Sequence, residues 1–372
     1  MNRGTKMSSQ MPNSDVIVIG AGGSGLAAAV SAAEKGAKVT VLERQRTPGG
    51  ATHFAEGIFA VESPVQKRAN ISSSKDELFR IHMYFSHWTL NPRLVRALVD
   101  ISGDSVDWLE KKGVVFQLNP FRPRNAPNYM LKYPVFHRPE NWGTGIVNAL
   151  VNDCQKLGVQ ILYETDANKL LTDKNGMVVG VTAKTKNNDL TLKARSVIIA
   201  TGGYGANKRL MKKWAPQYDI RNLDRLLVKG THPGERIQWT KKIHTGDGIL
   251  MAFEVGADHD GLGVLMLNGP NFVAGRHGWA LAGWQGIIRV NKEGERFADE
   301  GIGPSMNDHQ TMLQPDQICF ALFDDTFKNN IIKNGFGFVS GGKYGHNAAG
   351  IEGDLERHRL EMISRYPIPG MR

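Results

Sequence analysis

A run of glycines near the start of the chain, between an apolar segment and a small-residue segment, constrains the fold more than any other feature. The segment "DVIVIG" is apolar almost throughout, as in a strand buried on both faces of a parallel sheet. Gly20, Gly22 and Gly25 follow with the spacing GxGxxG and open the helix-forming segment "SGLAAAVSAAEKG". The first glycine of this motif makes a tight turn, the second lets a pyrophosphate approach, and the third packs helix on strand. The pattern predicts a dinucleotide site at the amino end of the first helix.

A second strand that ends in an acid follows this helix. Gly36 is placed to end the helix, and "AKVTVLE" has the pattern of a strand ending at Glu43. An acid at this point of a βαβ unit binds a ribose 2′-hydroxyl and disfavours a 2′-phosphate. An ordinary glycine turn is the alternative explanation. The order strand, glycines, helix, strand and acid favours an ADP-containing dinucleotide.

Two further glycine segments point to a long ligand. Gly49, Gly50 and Gly57 follow Glu43 where a plain nicotinamide domain would start a helix. Much later, "SVIIATGG" predicts another buried strand, from Ser196 to Ala200. Its glycine-rich end is expected to return to the same edge of the sheet.

The composition is that of a globular α/β protein with about two domains, since the chain has 372 residues, 42 glycines and 41% hydrophobic residues. The net charge of +10 is uneven, with ten Lys and Arg against three acids between Gly205 and Thr245. That basic region could bind an acidic protein partner, although a solvated surface is the commoner outcome. Aromatic residues are sparse there, which argues against nucleic acid.

Cysteine usage and hydropathy suggest a cytoplasmic protein. Cys154 and Cys319 are the only cysteines and have neither disulfide nor metal-ligand spacing, so no metal is expected. The longest apolar run is broken by the glycines of the first motif, and no membrane span is predicted. Residues 1–14 are expected to form a disordered tail.

Five motifs together resemble one known flavoprotein family. They are "VIVIGAGGSGLAAAVSAAEKGAKVTVLER", "PGGAT", "SVIIATGGYGAN", "HTGDGILMA" and "IIRVNKEGERFADE". The family comprises soluble fumarate reductases, succinate dehydrogenase flavoproteins, urocanate reductases and 3-ketosteroid dehydrogenases. The resemblance implies an α/β fold: a Rossmann-like FAD-binding domain over 15–257, with inserted helices, and an α+β capping (substrate) domain over 258–372. Family members return to the flavin domain after the cap, so the fold is expected to be C-terminally incomplete.

The resemblance also assigns cofactor-binding residues. The glycine motif would hold the pyrophosphate of FAD, Glu43 the adenosine ribose, and "GGAT" the flavin side, with further backbone contacts from the later segments. A covalent-flavin histidine would fall at Gly50, so non-covalent FAD is expected, with His53 as the exception. The full set is Gly20, Gly22, Gly23, Ser24, Gly25, Glu43, Arg44, Gly49, Gly50, Ala51, Thr52, Gly57, Ala167, Ala200, Thr201, Gly202 and Asp247.

The substrate region departs from the fumarate reductases. The positions of their dicarboxylate-binding residues fall here on Asn268, Gly269, Trp279, Ala280 and Pro304. A diacid would be desolvated without partners for its charges. The apolar segment "GWALAGWQG" instead suits a larger aromatic substrate, unless its tryptophans only pack the core. The candidate catalytic residues are His244, His277 and Arg276, whereas Arg296 and Glu300 are expected to form a structural ion pair.

The expected activity is that of an FAD-dependent oxidoreductase moving a hydride between flavin N5 and an activated carbon–carbon bond. An external electron donor or acceptor is implied, because no haem or iron–sulfur motif is present in the sequence. The alternatives are a 3-ketosteroid dehydrogenase-like activity and a degenerate flavin-binding subunit without catalysis.

Overall fold

The computed structural model describes most of the first 263 residues and shorter parts of the remainder. The described ranges are 14–55, 57–118, 134–217, 244–263, 288–300, 309–317 and 319–322, with isolated positions up to 329.

The described chain alternates between strands and helices. The strands are β1 (Ser14–Ile19), β2 (Val39–Leu42), β3 (Ile58–Phe59), β4 (Phe116–Leu118), β5 (Phe136–Pro139), β6 (Gln160–Leu162), β7 (Asp166–Thr172), β8 (Val178–Lys184), β9 (Asp189–Ile199), β10 (Ile288–Val290) and β11 (Phe320–Leu322). The helices are α1 (Gly23–Glu34), α2 (Pro64–Arg68), α3 (Lys75–Phe85), α4 (Pro92–Lys111), α5 (Trp142–Lys156), α6 (Lys208–Trp214) and α7 (Asp247–Glu254). Two 3-10 turns cover Gly50–Phe54 and Pro315–Gln317.

A six-stranded sheet with the order β6-β2-β1-β9-β8-β7 organises the domain. Strands β6, β2, β1 and β9 are parallel, and β7 and β8 continue the sheet antiparallel. The sequence predicts a separate strand from Ser196 to Ala200, but Ser196 to Ile199 belong to one long strand, β9, that begins at Asp189. Its first half pairs with β8 and its second half pairs with β1. The α/β class is confirmed, with α1 as the crossover of a parallel βαβ unit.

The core lies on both faces of this sheet. Helices α1 and α5 pack on one face around Leu26, Val30 and Leu150, which are fully or almost fully buried. On the other face, Ile17, Leu42 and Met251 join side chains from β7 and β8. Gly36 has φ +83° just beyond α1, so the predicted helix end is confirmed.

The apolar spacing of Leu94, Leu98, Val106 and Leu109 predicts an amphipathic helix, which is α4, but only Val106 and Leu109 of these four side chains are buried. Val99 and Val106 are fully buried, whereas Leu94 and Leu98 are 64% and 54% exposed. The apolar positions of this helix therefore form two stripes, of which one faces the core.

Two smaller sheets complete the described structure. Strands β3, β5 and β4 form an antiparallel sheet beside the domain core, and β10 pairs antiparallel with β11. Among the helices that the structure describes, none has the length and apolar character needed to cross a membrane.

Candidate functional site

Three neighbouring parallel strands end side by side at one edge of the sheet, where an open α/β sheet has its ligand crevice. Gly20 follows β1, Glu43 follows β2 and Ala200 follows β9, so these residues meet at the carboxyl edge of the sheet. Backbone hydrogen bonds fix the edge: the Gly20 N–H donates to Leu42 O at 2.7 Å and the Ala200 N–H donates to Ile19 O at 2.8 Å. Open α/β sheets bind their ligands at this edge.

Two of the three motif glycines are required by packing. Gly20 has φ +106°, and a Cβ there would lie 2.5 Å from the carbonyl oxygen of Ala200. A Cβ on Gly25 would lie 1.9 Å from the carbonyl oxygen of Gly20. Helix α1 therefore approaches β1 more closely than any side chain would allow.

Packing does not require a glycine at the middle position of the motif, Gly22. Gly22 has φ −73° and ψ 178°, which any residue adopts, and the atom nearest to a Cβ there is the Gly49 oxygen at 3.9 Å. A side chain at Gly22 would project into open space at the amino end of α1. Ser24 in the first turn is exposed as well. Bare backbone at a helix start fits a pyrophosphate, whose oxygens need close approach and N–H donors.

The Glu43 carboxylate faces this loop and is 8% exposed. Its Oε2 accepts a hydrogen bond from the Ala21 N–H at 2.7 Å, and its Oε1 accepts one from the Gln45 N–H at 2.8 Å. The acid at the end of β2 thus reaches the glycine loop, where a ribose beside the pyrophosphate would lie. Each oxygen keeps a lone pair that can accept from a hydroxyl.

The second glycine segment, Gly49 to Thr52, contacts the first glycine motif. Gly49 has φ +115°, its N–H donates to Ala21 O at 2.7 Å, and it forms an isolated parallel bridge with Gly22. The Gly23 N–H donates to the Thr52 hydroxyl at 2.9 Å. Gly50 and Ala51 are exposed beside these contacts. The structure therefore brings "GGAT" and the first motif together, although the two are separate in sequence.

The His53 ring lies beside the Gly49 turn and has two polar contacts there. One ring nitrogen, Nε2, lies 2.9 Å from Pro48 O, and Nδ1 lies 3.2 Å from the Thr144 hydroxyl. The ring also packs against Gly49, where a Cβ would lie 2.1 Å from Nε2. These contacts hold the His53 ring against the turn of Pro48 and Gly49.

His244 lies against the turn that follows β9, at the same edge of the sheet. A Cβ on Gly202 would lie 3.3 Å from His244 Nδ1, and a Cβ on Gly248 would lie 2.1 Å from the Thr201 hydroxyl oxygen. Burial, and secondarily the positive charge of Arg44, hold the pKa of His244 below its usual value. His244 is therefore a neutral imidazole at neutral pH.

Arg44 makes an ion pair that the sequence did not reveal. Its Nη2 donates to Asp247 Oδ2 at 2.6 Å, its Nη1 donates to the Thr245 hydroxyl at 3.1 Å, and its Nε lies 3.6 Å from Asp166 Oδ1. Arg44 and Asp247 are 203 residues apart in sequence. No local pattern predicts such a contact; the only signal was that both follow motifs expected at one edge of the sheet.

Two other cofactor candidates have structural surroundings of their own. A Cβ on Gly57 would lie 2.5 Å from His137 O, so close packing on β5 requires this glycine. Ala167 is 7% exposed in β7, close to Glu43, whose carbonyl accepts from the Thr165 N–H at 2.9 Å. Contact of either residue with the cofactor stays a prediction.

The proposed substrate region falls largely outside the described residues. His277 and Arg276 lie there, as do Asn268, Gly269, Trp279, Ala280, Leu281, Trp284 and Pro304. Within the described part, Arg296 Nη2 lies 2.6 Å from Glu300 Oε2, and Glu300 Oε1 accepts from the Arg289 N–H at 2.9 Å. The expected structural ion pair is therefore present.

The parallel sheet, the glycine loop at the start of α1 and the buried acid after β2 define an α/β protein of the dinucleotide-binding class. The sequence profile of the family described as FAD binding domain matches residues 15–367. The chain belongs to this family, and the cofactor indicated by the match is FAD.

Known relatives and solved structures agree with this family. The chain is 31% identical over 334 residues to the vinyl phenol reductase of Lactiplantibacillus plantarum, covering 86% of this chain and 63% of the relative. It is 27% identical over 326 residues to a fumarate reductase (cytochrome) of Shewanella frigidimarina, covering 86% of this chain and 53% of the relative. The chain thus spans between half and two thirds of the length of these relatives.

The fold likewise matches a solved dehydrogenase. The 3-ketosteroid-Δ4-(5α)-dehydrogenase of Rhodococcus jostii superposes with a TM-score of 0.65 at 22% identity, covering 99% of this chain and 81% of that structure. The predicted resemblance to fumarate reductases and ketosteroid dehydrogenases is confirmed at the level of family and fold.

Proposed function

We propose that this chain is the flavin-binding part of an FAD-dependent oxidoreductase that acts on an activated carbon–carbon bond of an apolar or aromatic substrate. The observation that carries the proposal is the open glycine loop at Gly22, beside the buried carboxylate of Glu43, in a chain of the FAD binding domain family. Bound FAD supplies hydride transfer at N5.

Each part of the crevice has a role in this proposal. The backbone N–H groups at the start of α1 hold the pyrophosphate, and Glu43 accepts hydrogen bonds from the ribose hydroxyls. The turn Thr201–Gly202 lies on the flavin side, next to His244. Because the His244 imidazole is neutral, it carries one N–H and one lone pair, so it can donate or accept the proton that accompanies hydride transfer. The FAD is non-covalent, since the position of the covalent histidine is Gly50.

An aromatic alkene is the favoured substrate class. The relative with 31% identity is a vinyl phenol reductase, and the clamp positions of the fumarate reductases carry no charged residue in this sequence. A diacid would lose its hydration without gaining charged partners, which costs several kcal/mol for each carboxylate. An apolar aryl alkene has no such penalty.

The test is anaerobic reoxidation of the reduced, FAD-loaded chain. We expect vinyl phenol to restore the absorption of oxidised flavin, and fumarate at the same concentration to do so far more slowly. Equal rates with fumarate would refute the substrate class. Stable FAD binding without reoxidation by either alkene would show that this chain binds flavin without catalysing the reaction.

The electron donor is proposed to be external and to include an acidic protein that binds the basic region. Within the described residues, α6 contributes exposed Lys208, Arg209, Lys212 and Lys213 to this region. Binding through exposed charges weakens as salt is raised, because the Debye length falls to about 3 Å at 1 M. If the rate at which the donor reduces the flavin does not depend on salt, the donor does not bind through this basic region.

The proposed compartment is a reducing one. Both Cys154 and Cys319 are free thiols. Burial raises the pKa of the Cys154 thiol to about 11, so this residue is protonated and unreactive in the folded chain.

A further inference from the structure

We propose that Arg44 is a positioning residue for His244, and that its ion pair with Asp247 holds residues 244–247 so that the His244 ring lies against the turn after β9. The inference rests on the proposed function, in which this turn lies on the flavin side. It assigns Arg44 a role beyond the cofactor contact that the sequence predicts.

The Arg44 side chain joins two separate parts of the site. It extends from the end of β2, immediately after Glu43, and contacts Asp247 at 2.6 Å and Thr245 at 3.1 Å. The Thr245 hydroxyl donates to the same Asp247 oxygen at 2.5 Å, which closes a three-membered network. The guanidinium side chain is only 17% exposed. A planar guanidinium that binds two groups at fixed angles restrains both of them, as a lysine ammonium would not.

The backbone at His244 needs such restraint. His244 has φ +52°, a conformation that residues other than glycine keep only when their surroundings impose it. Two more bonds support the segment: the Ala206 N–H donates to His244 O at 3.0 Å, and Asn207 Nδ2 donates to Thr245 O at 2.8 Å. These bonds fix the segment on the side of the turn after β9, and Arg44 fixes it on the side of β2.

The same geometry controls the charge of His244. Among the described residues, Arg44 from the end of β2 is the charged group that acts on the His244 pKa, and Arg44 is itself paired with Asp247 of α7 and Asp166 of β7. Burial and Arg44 act in the same direction on the pKa of His244, and both lower it. Loss of the restraint would release the ring to water and raise this pKa toward the ordinary value of 6.5.

The test is an NMR titration of the His244 ring in the full chain without FAD. The signal is assigned by its absence in His244→Gln. We expect the His244 pKa to rise in Arg44→Gln and also in Arg44→Lys, because lysine keeps the charge but not the two-point contact with Thr245 and Asp247. Full recovery of the wild-type pKa in Arg44→Lys would show that the charge alone acts on His244. Arg46→Gln is the matched control, because Arg46 is on the same segment but is 85% exposed and pairs with Glu164. This control should leave the His244 pKa unchanged.

The Asp247→Ala variant distinguishes a positioning role of the ion pair from a purely electrostatic effect on the His244 pKa. Removing a negative charge near His244 would lower its pKa if the ring stayed in place, whereas loss of the restraint would raise it. A rise therefore supports the proposal, and a fall or no change overturns it, as does an equal shift in Arg46→Gln. If Arg44→Gln does not fold, Arg44→Lys and Asp247→Ala decide the matter.

FAD binding by the wild-type chain is measured separately. Absence of binding would refute the proposed function while the titration still decides the role of Arg44.

Discussion

Replacing Gly22 by alanine is expected to weaken FAD binding with little effect on the stability of the fold. The φ of −73° and ψ of 178° suit alanine, and the nearest protein atom to the new Cβ lies 3.9 Å away. Alanine at this helix cap costs about 1 kcal/mol or less, and the reduced freedom of the unfolded chain offsets part of that cost. The free energy of unfolding without FAD should therefore change by no more than about 1 kcal/mol.

FAD affinity should fall much further. The new methyl group would occupy the open space where the pyrophosphate meets the backbone, so the phosphate would retreat from its donors. Each charge-assisted hydrogen bond lost costs about 1.5–3 kcal/mol, and about 1.4 kcal/mol corresponds to a tenfold change. With one such bond lost, the Kd for FAD should rise by roughly 10- to 150-fold.

The assay combines a flavin fluorescence titration with urea unfolding of the FAD-free chain. Gly113→Ala is the matched control: Gly113 has φ +89° with open space around it, far from the crevice in the turn after α4. This control should lower the stability by about 1 kcal/mol and leave FAD affinity unchanged. Wild-type FAD affinity in Gly22→Ala, or an unfolded Gly22→Ala chain, would refute the reasoning.

Three further predictions concern stability and reactivity. Gly25→Ala would place a Cβ 1.9 Å from Gly20 O, so urea unfolding should show a loss of about 3 kcal/mol or more, and wild-type stability would contradict the packing. His137 is fully buried, with Nε2 2.7 Å from the Ser63 hydroxyl, and burial lowers its pKa. The unfolded chain therefore binds the proton more readily, and stability should be complete above about pH 6.5 and fall below it by up to about 1.4 kcal/mol per unit for this group; His137→Gln should make the dependence less steep, while the part due to His244 remains. The Cys154 thiol, with a pKa of about 11, should react with a thiol reagent only on unfolding, and rapid labelling of the native chain would contradict its burial.

The sequence predicted the parts of the fold that depend on local patterns. The glycine motif, the end of α1 at Gly36 and the strand ending at Glu43 each depend on the conformational needs of a few adjacent residues. The convergence of the segments at Gly49 and Ala200 on one edge also followed, since parallel strands present their carboxyl ends together. These features were sufficient to predict the crevice.

The remaining features depend on contacts between distant residues. Arg44 meets Asp247 across 203 positions of sequence, and no spacing rule reports that distance. Helix α4 carries apolar side chains on two faces, and only tertiary packing decides that Val99 is buried while Leu98 is exposed. The apolar spacing of α4 predicted a helix but not which of its faces packs on the core.

The central claim is that this chain holds the adenosine diphosphate half of FAD on the bare backbone between Gly20 and Gly25, beside Glu43. Its most direct test is a competition titration of the purified chain with FAD, ADP and FMN. The account predicts that FAD binds, that ADP displaces it, and that FMN, which lacks the adenosine half, binds far more weakly. FMN binding as tightly as FAD, or FAD binding that ADP does not weaken, would contradict it.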